Sequence, residues 1–269
     1  PAPVPPPGPP KSRTGLLVGL LVGAVVLVAA AVVAVVVVVN MTGGSGSGDA
    51  TATVSRSSEP APGRGAAPAG GLLPSDYDDD PSWRLWEPLN ERPADSDPLT
   101  VAEVFDTADS RAATDSHGTR YTLQGTGQAD SDCAQAVWGE PLRTALAAHG
   151  CTQVVRGVYA DTGKRIVGHV AVFDLRDVTA ADRFVKDLDP GLGKGFLTPL
   201  PGQAAPLDRF GSGYTGADAG AYGHFVVVSW VGFTDGADGA AAELDGIAPR
   251  SALQRAAKSF LFDRLAEAR

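Results

Sequence analysis

Cysteine is nearly absent from this 269-residue chain, which has only Cys133 and Cys151. Their spacing is not that of a Cys-x-x-Cys redox motif. Histidine is also scarce: His117, His149, His169 and His224 are the whole set, and no two have the His-x-x-x-His spacing of a local metal site. There is no Gly-x-Ser-x-Gly elbow for a serine nucleophile. Gly191, Gly193, Lys194 and Gly195 lack the serine or threonine and the spacing of a phosphate-binding loop. Accordingly no catalytic residue, metal ligand or cofactor is assigned, and the chain is expected not to be an enzyme.

Charge is missing altogether from Gly15 to Val39, about 25 residues where roughly 20 suffice to cross a bilayer as a helix. The run is too long for the apolar region of a cleavable signal peptide. From Ala24 to Val39 it is apolar on every face, which argues against a core helix. Residues 15–39 are therefore expected to form a single transmembrane helix in the lipid bilayer. Lys11 and Arg13 precede it, and uncharged residues follow it directly. That asymmetry places residues 1–14, a proline-rich tail, in the cytoplasm and the rest outside the cell membrane. Gly15, Gly19 and Gly23 recur at the four-residue spacing that lets two membrane helices pack closely, which would permit a homodimer. Glycine is also simply common in membrane helices.

Only two of the 22 basic residues and none of the 31 acidic ones precede residue 40, so the outer portion is strongly acidic. Nucleic acid and anionic lipid headgroups require a basic patch and are excluded as its partners. Residues 40–98 are rich in Gly, Ser, Ala, Pro and Asp without sustained periodicity, as expected of a disordered linker. Trp83, Leu85, Trp86 and Leu89 interrupt it, and docking of this cluster onto the domain would keep the tryptophans from water.

Residues 99–269 are long enough for one sizeable core. A Thr100/Glu103 capping box opens a short helix, and Tyr121 to Gln124 suggests a strand. A second helix is expected from Cys133 to His149, opened or kinked at Pro141, and Gly150 stops it. Two valine-rich strands, 152–160 and 165–175, are joined by the turn sequence Asp161-Thr162-Gly163-Lys164. A helix from Thr179 ends before Pro190, a strand covers 221–233 with a partner near 210–215, and residues 250–268 carry one apolar helical face. The fold class expected is α+β: an antiparallel sheet of about four to six strands with helices packed on one face, preceded by the membrane helix and linker. Similar Gly-His-rich strands at 168–172 and 223–227 hint at an internal duplication. If those strands are neighbours, His169 and His224 would face each other.

Cys133 and Cys151 bracket the second helix in an oxidising compartment, so a structural disulfide is expected. Gly211-Ser212-Gly213-Tyr214-Thr215-Gly216 matches the dinucleotide glycine pattern, but a valine-rich strand follows where a helix is required. It reads as a turn. Asp235, Asp238, Glu243 and Asp245 do not have the spacing of an EF-hand and read as a solvated acidic loop.

The layout of proline-rich tail, single apolar stretch, small-residue linker and outer α+β domain resembles that of uncharacterised membrane-anchored proteins of actinobacteria such as Streptomyces. More loosely, the outer domain is similar to sensor ectodomains of actinobacterial receptor kinases, although no kinase is present. The resemblance covers layout and carries no functional motif; the function expected first is a non-enzymatic envelope protein whose outer domain binds a ligand or envelope protein, with the proline-rich tail recruiting a partner inside. A hydrolase with a site assembled only by the fold, and a passive spacer, are the alternatives.

Overall fold

The computed structural model describes residues 71–94 and 97–268. No helix among them is long and apolar enough to cross a membrane. The tail 1–14, the apolar stretch 15–39 with Gly15, Gly19 and Gly23, and the linker up to residue 70 lie outside the described residues.

Two hairpins form the centre of the fold. In the first, β6 (Gln153–Asp161) and β7 (Ile166–Asp174) pair through the expected turn. There Asp161 accepts from the backbone N–H of Gly163 and of Ile166, and Lys164 takes the left-handed conformation. In the second, β9 (Thr215–Tyr222) turns at Gly223 into β10 (Phe225–Phe233). The single long strand expected at 221–233 is thus split. Its Gly-His pair lies in the turn, where Gly223 has φ +63° and a Cβ would come within 2.2 Å of the Leu89 carbonyl.

Strands β1 (Asp76–Asp80), β2 (Ala112–Thr114), β3 (Arg120–Leu123) and β4 (Gln128–Asp130) complete an eight-stranded sheet. Its order is β1-β9-β10-β7-β6-β3-β2, with β4 paired to the other half of β6. β1 runs parallel to β9 and the other pairings are antiparallel. A separate two-stranded sheet joins β5 (Val137–Trp138) and β8 (Phe196–Leu197). Five α-helices accompany them: α1 (Val101–Phe105), α2 (Glu140–Ala148), α3 (Val178–Asp187), α4 (Ala240–Ala257) and α5 (Leu261–Glu267). α1 carries the expected Thr100/Glu103 capping box. α2 starts only at Glu140, with Pro141 in its first turn, while Cys133–Ala136 form a 3-10 turn. α3 is capped by Asp177, not Thr179.

Three features of the expected fold class are corrected. The sheet is mixed, it has eight strands, and helices cover both faces. On one face Val170, Val172, Phe225 and Val227 pack under Leu253, Ala256 and Ala257 of α4. On the other Ala171, Phe173, Val226 and Val228 pack under Ala181, Phe184 and Val185 of α3. Strands buried on both sides read as continuous apolar runs, and β10 has no exposed residue. The internal duplication fails on the same fact. A two-fold relating β9-β10 to β6-β7 would stand perpendicular to the sheet and would place α3 and α4 on one face, whereas they lie on opposite faces.

The linker expected through residue 98 instead becomes part of the domain from about residue 72. Acidic β1 docks at the sheet edge because Arg250 on α4 lies 2.8 Å from Asp76, and Lys186 on α3 pairs with Asp79. Trp86 and Leu89 are buried, while Trp83 stays 69% exposed, so the aromatic cluster docks in part.

Candidate functional site

Two histidine–carboxylate pairs lie near one end of the sheet. α2 ends at Ala148, His149 follows as its cap, and Gly150 reverses the chain with φ +67°. Cys151 then leads into β6 and forms the expected disulfide with Cys133. His149 Nε2 lies 2.8 Å from Asp187 Oδ2, and Lys194 Nζ donates to the other oxygen of the same carboxylate at 2.5 Å. Burial would raise the pKa of Asp187, but the hydrogen bonds from Lys194 and His149 outweigh it and hold the carboxyl below its usual range.

A second pair lies nearby at the end of β7. Asp174 accepts from Arg92 Nε at 2.9 Å and Thr152 Oγ1 at 2.9 Å, and is 3.0 Å from His224 Nδ1. Burial is again the largest influence on its carboxyl and is overcome, here by His224 and Arg92, so the group is held ionised. Arg92 also donates to the carbonyl of Gly150 at 2.6 Å, tying the residue-92 turn to the α2 cap.

A histidine–carboxylate pair becomes catalytic when a nucleophile or water is within reach of the ring. The His224 side chain has no solvent exposure, and its pair with Asp174 therefore holds the β9–β10 turn to the end of β7. His149 borders a shallow opening of about 420 Å³ shared with Thr179, Asp182, Arg183 and Lys186. No serine, threonine or cysteine side chain is hydrogen-bonded to His149 among the described residues.

His169 and His224 do not face each other. His169 lies in the middle of β7 opposite Trp230, whereas His224 is at the far end, beyond the Phe225–Asp174 pairing. The Leu200 N–H donates to His169 Nδ1 at 3.2 Å, and burial depresses the imidazole pKa to about 3, helped by Arg156, so the ring is neutral. Among the other expected features, Gly211–Gly216 is a turn leading into β9, and a Cβ on Gly213 would meet the Ala237 carbonyl at 2.4 Å. Asp235 pairs with Arg165 at 2.7 Å, Glu243 and Asp245 belong to α4, and no metal-binding cluster occurs among the described residues.

The largest opening among those described, about 460 Å³, contains no histidine and is lined by none of the residues expected to form a site. It lies between β2, an outer strand of the sheet, and one face of α4 carrying Ala252, Arg255 and Ala256, with Ser259 just beyond the helix. Its floor is Ala113, Ala252, Ala256 and Phe260, all buried; Phe262, 52% exposed, stands at its rim beside Trp86. No protein-family model, no curated protein and no solved structure matches this chain.

Proposed function

We propose that this is a non-enzymatic, single-pass membrane-anchored envelope protein whose outer domain binds a ligand or protein partner. The uncharged run 15–39 and the basic residues before it support attachment to the cell membrane with the domain outside. The observation that carries the binding reading is the groove beside β2. It is the largest opening described, it is bordered by a sheet edge and a half-exposed phenylalanine, and no histidine lines it. A hydrolase built on histidine would have to use His149 and Asp187, which border an opening but have no hydrogen-bonded nucleophile among the described residues.

Photo-crosslinking in living cells tests the proposal. A benzophenone amino acid at position 262, in the groove rim, is expected to give a discrete adduct. The same group at Leu244, 68% exposed and outside the groove, is expected to give none. Equal labelling from both positions, or none from either, contradicts it.

A further inference from the structure

The two edges of the sheet are treated differently. β1 carries four aspartates in five residues, and charge on an edge strand discourages a further strand from pairing with it. β2 reads Ala-Ala-Thr and has no such protection. Its backbone direction follows from the ladder with β3. Leu123 N–H donates to Arg111 O and Asp115 N–H to Thr119 O, so residues 111, 113 and 115 spend their backbone groups on β3. Those of Ala112 and Thr114 therefore point the other way, off the outer edge of the sheet, where both residues line the groove. The side chain of Arg255 reaches across to the Thr114 carbonyl at 3.5 Å, which fixes the guanidinium at the C-terminal end of β2.

The opposite end of the groove is acidic. Asp109 lies in the turn before β2, and Asp263 lies at the start of α5. The next residue, Arg264, bridges to Glu103 in α1, which leads directly into that turn. Both aspartates thus lie toward the N-terminal end of β2. Three strand residues span about 10 Å, so the groove offers a cation and a carboxylate pair separated by roughly the length of an extended tripeptide.

We propose that this groove binds a short extended peptide of small residues as an added strand beside β2, its free amino terminus at Asp109 and Asp263 and its free carboxylate at Arg255. The proposal rests on the binding function above and names its ligand class. Small residues are required because the floor is formed by Ala252 and Ala256 on the helix and Ala113 on the strand, with no deep pocket for a larger side chain. Main-chain bonds to Ala112 and Thr114 would supply affinity, and the two charged ends would set direction parallel to β2.

The probe is trialanine with free ends, added to the full-length chain in detergent micelles and compared with its acetylated, amidated form. Free trialanine is expected to slow amide exchange at Ala112 and Thr114 while leaving Ala113, already paired with β3, unchanged. Blocking both ends should weaken binding about tenfold, and Arg255→Gln or Asp263→Asn about threefold each, in keeping with exposed charge pairs. Ala256→Phe, which fills the groove, should abolish the protection. Equal affinity for free and blocked peptide, or absence of protection at residues 112 and 114, overturns the proposal. If a crosslinked adduct at position 262 forms equally in Ala256→Phe, the peptide assignment fails while partner binding at the rim stands. Loss of the adduct in that variant supports both.

Discussion

Replacing Asp218 by asparagine should stabilise the protein at neutral pH, although it removes a carboxylate that lies 3.3 Å from Arg250. Asp218 lies on the α4 side of β9, level with Asp78 on β1. The single guanidinium of Arg250, 2% exposed, also serves Asp76 at 2.8 Å and Asp78 at 3.8 Å. Burial is the main influence on Asp218. Arg250 opposes it, the charges of Asp78, Asp76 and Asp80 add to it, and the pKa is pushed up to about 6. The folded state therefore holds this proton between about pH 4 and pH 6, where the unfolded chain has released it, and stability falls as pH rises through that window. Two pH units correspond to about 3 kcal/mol, a net figure in which the opposing charge of Arg250 is already included. Urea denaturation followed by tryptophan fluorescence at pH 4 and pH 7.5 measures it. The stability of Asp218→Asn relative to wild type should rise between the two by roughly that amount. If the asparagine variant instead loses ground as pH rises, the Arg250 pairing outweighs burial and the reasoning is wrong.

Two further perturbations follow from the same structure. Replacing Cys133 and Cys151 together by alanine opens a loop of 18 residues and should cost about 3 kcal/mol in urea, with the free-thiol count confirming that the wild type has none. A loss below about 1 kcal/mol would mean that the α2 region is held independently of the bridge. His169, with its pKa depressed to about 3, contributes in the opposite sense to Asp218: the unfolded chain takes up its proton below pH 6.5 and the folded one does not. Acidification from pH 6.5 to 4 should therefore cost the wild type roughly 1–3 kcal/mol more than His169→Gln, and equal losses in the two proteins would refute a buried neutral ring.

Local signals in the sequence were read correctly where both partners are close in the chain. The Thr100/Glu103 capping box and the Asp161–Lys164 hairpin turn need only a few residues, and both form. Cys133 and Cys151 pair as their isolation implied. Edge strands were missed because their reasons lie far away. β1 looks like a solvated acidic stretch until Arg250, in a helix more than 160 residues later, is placed against it. β2 and β4 have only three residues each, too few to display alternation, whereas β3 forms where a strand is expected at 121–124. Coverage of both sheet faces was legible, since Ile166–Asp174 and Phe225–Phe233 are apolar without alternation, yet helices were assigned to one face. The groove had no such signal. Thr114 and Arg255 meet across 141 residues, and neither residue is unusual alone.

The proposal of an outer domain occupied at its β2 groove is tested most directly by labelling with a membrane-impermeant maleimide. Single cysteines would replace Phe262 at the groove rim and Leu244 away from it, both exposed. On intact cells position 244 should label fully and position 262 should be shielded, while both label in the purified chain. Labelling of neither until the cells are broken would contradict the outer location, and equal labelling of both on intact cells would contradict an occupied groove.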